Sequence, residues 1–304
     1  MAIRYFIVQT LAVSCFLAPV IAIASPACPP ADWNTERLQA LKAGEFVVPD
    51  DANRQRLALE LLPCLADPDS ALRDGVAFEA YSTWLRAGKL DGKTQLVAFQ
   101  QLLPAIAPAA ADAAGFRQPF AALVLSELAR ADRKSPYLSA TQRQQLIEAA
   151  ALYLETVRDY RGYDSQQGWR HGVAHASDLL MQLALNEALD KAQLDRMLAA
   201  VKQQVAPPGE HFYVYGESER LARPVLFAAL RGLHSPEQWN AWFTELASPA
   251  PMASWDQAFQ SNAGLARRHN MRAFLLVVYT EASNSKNEHL TRLVPAIMAA
   301  LKSM

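Results

Sequence analysis

Apolar residues recur three and four positions apart along almost the whole chain, the spacing that keeps them on one face of an α-helix. Stretches such as "RQQLIEAAALYLETVRDY" carry that rhythm, while runs alternating with period two are scarce, so strands are not expected. The pattern predicts helices over 34–43, 50–66, 70–87, 91–106, 117–132, 140–160, 168–187, 190–204, 217–232, 235–247, 256–264, 266–282 and 286–302. Start signals support it. Ser70, Ser139, Asp190 and Ser235 stand where a side-chain oxygen can cap the first turn, and Pro236 suits a first helical position. Breakers such as "ADPD", "KSPYLS", "VAPPGE" and "LASPAPMAS" fall between the predicted helices.

Many short helices joined by short turns suit antiparallel helix pairs stacked as a HEAT- or armadillo-like α-solenoid, in an all-α fold. A compact α/α toroid is the alternative arrangement. No clean repeat at fixed period is visible, only a degenerate helix-pair rhythm of roughly forty residues.

The N-terminus changes the picture. "MAIRYFIVQTLAVSCFLAPVIAIASPA" has one charge, Arg4, then an apolar run, then the small-x-small exit Ala22-Ile23-Ala24. This reads as a signal peptide over 1–24, which leaves 25–304 as a single α-helical domain in the periplasm or outside the cell. No membrane span is expected after cleavage. Export implies an oxidising compartment, where Cys28 and Cys64 can pair. Lys and Arg total 29 against 30 Asp and Glu, a balance that argues against a nucleic-acid partner.

Candidate chemistry concentrates in "RDYRGYDSQQGWRHGVAHASDLL", residues 158–180. With a helix starting near Gly168, His171, His175, Asp178 and Gln182 fall at i, i+4, i+7 and i+11, one polar stripe on an otherwise apolar helix. Gly162 is expected to allow a positive φ in the turn before it. Three readings of the stripe stand open. It can line a ligand cleft. It can hold a divalent metal such as zinc on His171, His175 and Asp178, although the glutamate of an H-E-x-x-H motif is missing. It can be a buried network closed over by the next helix, with its hydrogen bonds satisfied. Two more clusters can converge on it. In "HFYVYGESERLARPV" the alternation of Tyr213 and Tyr215 suits an extended lip, and Glu217/Arg220 and Glu219/Arg223 have the spacing of same-helix ion pairs. The second cluster is the basic run "RRHNMR" at 267–272. No G-x-S-x-G, P-loop, G-x-G-x-x-G or C-x-x-C motif is present. Trp239, Trp242 and Trp255 read as packing residues.

The residues Arg161-Gly162-Tyr163, Gly168-Trp169, His171, His175, Asp178-Leu179-Leu180, Glu217 and Glu219-Arg220-Leu221 resemble the DUF2785 family, a bacterial family of unknown function. The resemblance extends over about 60–300, with its specific part in 158–222. It implies an all-helical, HEAT-like fold and no particular activity. It also suggests that the stripe and the Glu-Arg cluster form one feature. The expected site is therefore Arg161, Tyr163, Trp169, His171, His175, Asp178, Glu217, Glu219 and Arg220. The expected role is binding of a protein, peptide or cell-envelope ligand, with a metal-assisted hydrolase as the alternative.

Overall fold

The computed structural model describes residues 27–110 and 112–304; the expected signal segment lies outside the described residues. The chain is all-α apart from one short hairpin. Its first helices are α1 (Thr35–Ala43), α2 (Asp51–Glu60), α3 (Ser70–Leu72), α4 (Glu79–Arg86) and α5 (Gly92–Leu102). Then come α6 (Arg117–Lys134), α7 (Ala140–Thr156), the strands β1 (Tyr163–Asp164) and β2 (Gly168–Trp169), and α8 (Gly172–Ala184). The chain ends with α9 (Lys191–Val205), α10 (Glu217–Leu230), α11 (Pro236–Leu246), α12 (Asn262–Asn284), α13 (Glu288–Thr291) and α14 (Val294–Lys302).

Local chemistry sets most of the helix starts. Ser139, Asp190 and Ser235 each cap their helix, with Gln142, Gln193 and Gln238 completing the reciprocal bond. Prolines explain several departures from the predicted spans. The 50–66 segment leaves α-geometry after Glu60 for a 3-10 turn, Leu62–Ala66, that holds Pro63 near its start, and Pro104 does the same in Leu103–Ile106. The predicted 256–264 and 266–282 helices resolve into a 3-10 turn, Trp255–Gln260, and one long helix, α12, capped by Ser261. Between α3 and α4 the chain widens into a π-helical turn, Arg73–Phe78. α7 stops at Thr156 and α8 starts at Gly172, so the ends of the predicted 140–160 and 168–187 helices form the hairpin connection instead. Two paired residues per strand are too few to leave a period-two signature.

Helix pairs in contact include α4 and α6, α6 and α8, α8 and α10, α10 and α12, α12 and α14, and α7 and α9. Buried apolar side chains from Leu38 to Ala300 form one continuous cluster. Trp239 and Trp255 are buried in it, and Trp242 packs against it. No helix among the described residues is long and apolar enough to cross a membrane.

Cys28 and Cys64 form a disulfide across 36 residues of sequence, tying the N-terminal arm to the turn after α2. Closing a loop of that length restrains the unfolded chain, so reduction should cost about 2–4 kcal/mol. Urea denaturation with and without reductant measures this directly. A Cys64→Ala variant that is insensitive to reductant and as stable as the oxidised parent would contradict it.

Candidate binding surface

α8 lies between α6 and α10 and beside α7, which is why eleven of its thirteen residues are buried. His171 stands just before it, in the left-handed region at φ 62 and ψ 39, a conformation His adopts more readily than most residues. The stripe therefore begins with a residue outside the helix. His171 Nε2 lies 2.8 Å from the carbonyl of Tyr215 and donates to it, while its ring stacks on Trp169 at 4.7 Å. One turn on, His175 Nδ1 donates to the Pro119 carbonyl across 3.1 Å, and its ring meets Phe120 edge-on at 5.2 Å. Asp178 accepts from Arg220 and, at 3.4 Å, from Arg223. Gln182 Oε1 accepts from Arg133 at 3.2 Å.

Burial controls the electrostatics. It pushes the His175 imidazole down to about 3, with the neighbouring His171 and Arg220 adding to the effect. Burial also lowers His171, against the opposing pull of its Tyr215 hydrogen bond. Both rings are thus neutral near pH 7. Burial raises the Asp178 carboxyl, and Arg220 and Arg223 pull it back only in part.

Two expectations are corrected here. The stripe does not face an open cleft: His171, His175 and Asp178 are all buried, and each has a partner on a neighbouring element. Nor does it form a metal centre. Among the described residues no three His, Cys, Asp or Glu side chains are arranged to hold an ion, because the two imidazoles are turned to different carbonyls and Asp178 to two guanidiniums.

The Glu-Arg cluster is also wired differently. Arg220 and Arg223 reach across to Asp178 on α8 rather than pairing along their own helix. Glu217 is buried at the first turn of α10 and accepts the Tyr215 backbone N–H at 2.8 Å, with burial raising its carboxyl. Glu219 is exposed. The basic run of 267–272 takes no part. Arg267 donates to the carbonyls of Ala206 and Ser248, Arg268 to that of Met304, and buried Asn270 binds the backbone of Tyr213 and His211.

What does reach solvent is aromatic. Tyr163, Trp169 and Tyr215 are exposed by 55, 37 and 36%. Trp169 lies 5.3 Å from Tyr163 and 6.0 Å from Tyr215 between ring centres. Tyr213 turns inward and Tyr215 outward, so the segment is not the regular extended lip expected, in which residues two apart would share a face. Gly162 does not adopt a positive φ; that belongs to Gly168, at 74°. Gly162 instead leaves room for a ring, since a Cβ there would fall 2.2 Å from Tyr215 Cδ2. The Arg161 side chain locks the approach to the hairpin through an ion pair with Asp159, while its backbone carbonyl accepts the His171 N–H at 3.2 Å. Beneath the hairpin lies a residue not singled out from the sequence. Arg73 is 0% exposed and donates to the Gln167 carbonyl at 2.6 Å.

The family model described as "Protein of unknown function (DUF2785)" matches residues 104–280. This chain belongs to the DUF2785 family. The DUF2785 segment runs from the turn before α6 through most of α12, and so contains the whole stripe and all three exposed rings. It begins and ends inside the span expected from the resemblance, leaving Arg73 and the disulfide outside it. No curated protein and no solved structure matches the chain.

Proposed function

We propose that this DUF2785 protein is an exported binding module that takes a peptide or protein ligand of the cell envelope on its aromatic surface, without chemistry of its own. One observation carries the reading: Tyr163, Trp169 and Tyr215 are exposed, yet Trp169 is held from beneath by its stack on His171 and Tyr215 by the bond from His171 to its backbone, with Tyr163 tilted against Trp169. Rings fixed in this way supply contact area at low entropic cost, and such residues dominate binding surfaces. Arg220 is partly exposed and close enough to depress the His171 pKa, so a carboxylate on the ligand is favoured. The disulfide is compatible with an oxidising compartment. The successive contacts of α6, α8, α10 and α12, and that of α7 with α9, support reading the scaffold as a short HEAT-like solenoid.

The test is selection of peptides from a random display library on the wild-type protein, followed by affinity measurement on a Tyr163→Ala/Trp169→Ala variant. Loss of two aromatic anchors should weaken selected peptides by roughly thirtyfold or more. Peptides that bind both proteins equally would place the binding surface elsewhere.

A further inference from the structure

A cavity of about 90 Å³ lies between the end of α7, the loop before α6 and the start of α8. One buried water needs about 10–15 Å³ on the same measure, so this space admits a molecule of several non-hydrogen atoms. Gly115, Tyr153, Arg170 and Gly172 form its buried wall, and Thr156 and Arg158 its exposed rim. The Tyr153 hydroxyl is buried and, among the described residues, has no hydrogen-bond partner. A buried hydroxyl in that state calls for a partner that the described residues do not supply.

The hydroxyl has a defined neighbour. A Cβ on Gly172 would sit 3.3 Å from Tyr153 Oη, so the oxygen faces the first residue of α8. That helix has 13 residues and no side-chain cap. Its first N–H groups and its dipole therefore favour negative charge at this point. Arg170 precedes it in the chain and gives its bonds to neutral acceptors, the Ala114 carbonyl at 2.8 Å and Gln167 Oε1 at 2.7 Å. Among the described residues, neither Arg170 nor Arg158 takes part in an ion pair. Two carboxylates also line the space, and both are engaged. Asp112 accepts the N–H groups of Gly115, Phe116 and Gln118, and Asp159 is held by Arg161. Their remaining field opposes a dianion more than a monoanion.

We infer that this cavity is a binding site for a small monocarboxylate, which accepts hydrogen bonds from Tyr153 Oη and the first N–H groups of α8 while Arg170 balances its charge. The site is separate from the aromatic surface and does not depend on the role proposed for it.

The test is calorimetric titration of the full chain at pH 7 and fixed ionic strength with acetate, acetamide and inorganic phosphate. Two variants accompany the wild type. Tyr153→Phe removes only an oxygen that bonds none of the described residues, and Thr156→Trp blocks the exposed rim. Acetate should bind the wild type saturably, acetamide at least about tenfold more weakly, and Tyr153→Phe should weaken acetate by about tenfold or more, the effect of one hydrogen bond to a charged group. Thr156→Trp should abolish binding. The inference is overturned by absence of saturable acetate binding, by equal binding of acetamide, by equal binding to both variants, or by binding of phosphate in place of acetate.

Discussion

Replacing Arg73 by Met should lower the unfolding free energy by about 3–5 kcal/mol, the range found when one partner of a buried charge network is removed. Arg73 is completely buried, and its guanidinium lies over the rings of Phe116 and Phe120 at 4.1 and 4.9 Å. Nη1 donates to the Asp67 carbonyl at 2.8 Å, Nη2 to that of Gln167 at 2.6 Å, and Nε lies 2.7 Å from Asp74 Oδ1. Met fills a similar volume but leaves the carbonyls and Asp74 without their cation. The loss is also directional. Arg73 Nη2 reaches Gln167, in the turn between β1 and β2, so the hairpin that presents Tyr163 and Trp169 should loosen first. Denaturant titration gives the global loss, and hydrogen exchange in 163–171 reports the hairpin. A variant within about 1 kcal/mol of wild type, with unchanged protection there, would show that Arg73 does not anchor the surface.

The protein should also lose stability in mild acid through His175. Its imidazole sits near 3 in the folded state against 6.5 when free, so the folded protein declines a proton that the unfolded chain accepts. Stability attributable to this group is complete above about pH 6.5 and falls as the pH drops from 6.5 toward 3, at 1.36 kcal/mol per pH unit. At pH 5 the loss is about 2 kcal/mol. Lowering of His171 acts in the same direction. His175→Asn retains a donor for the Pro119 carbonyl and removes the titration. Its stability should therefore change less than that of wild type between pH 7.5 and 5. Parallel curves for the two proteins would rule out His175 as the acid-sensitive group.

The parts of this fold that were legible in the sequence are those decided within a few residues. Ser139, Asp190 and Ser235 announce their helices because the bonds that cap them close within one turn. The apolar spacing located α6, α8, α10 and α12 for the same reason. The Cys28–Cys64 pair followed from an argument about compartment, without any geometry. At the site, His171, His175 and Asp178 were visible as a polar stripe, but their partners were not. Spacing within α10 suggested Glu217–Arg220 and Glu219–Arg223 pairs. The folded chain offers Arg220 and Arg223 the carboxylate of Asp178 instead, buried on α8, where lower polarizability of the surroundings makes the attraction stronger than at an exposed helix flank.

By itself, then, the sequence determined an all-α chain, most of its helix starts, its disulfide cysteines and the polar stripe of the candidate site. Only the tertiary structure decided that the stripe is covered, that the rings of Tyr163, Trp169 and Tyr215 reach solvent, and that Arg73 bonds the hairpin that carries the first two. Arg73 looks like any helical arginine in "ALRDGVAF", and the carbonyl that buries it lies 94 residues away. Helix propensity and capping act over three or four residues and leave their mark in the local pattern. Burial and pairing of charges depend on which distant surfaces meet, and no local pattern records that.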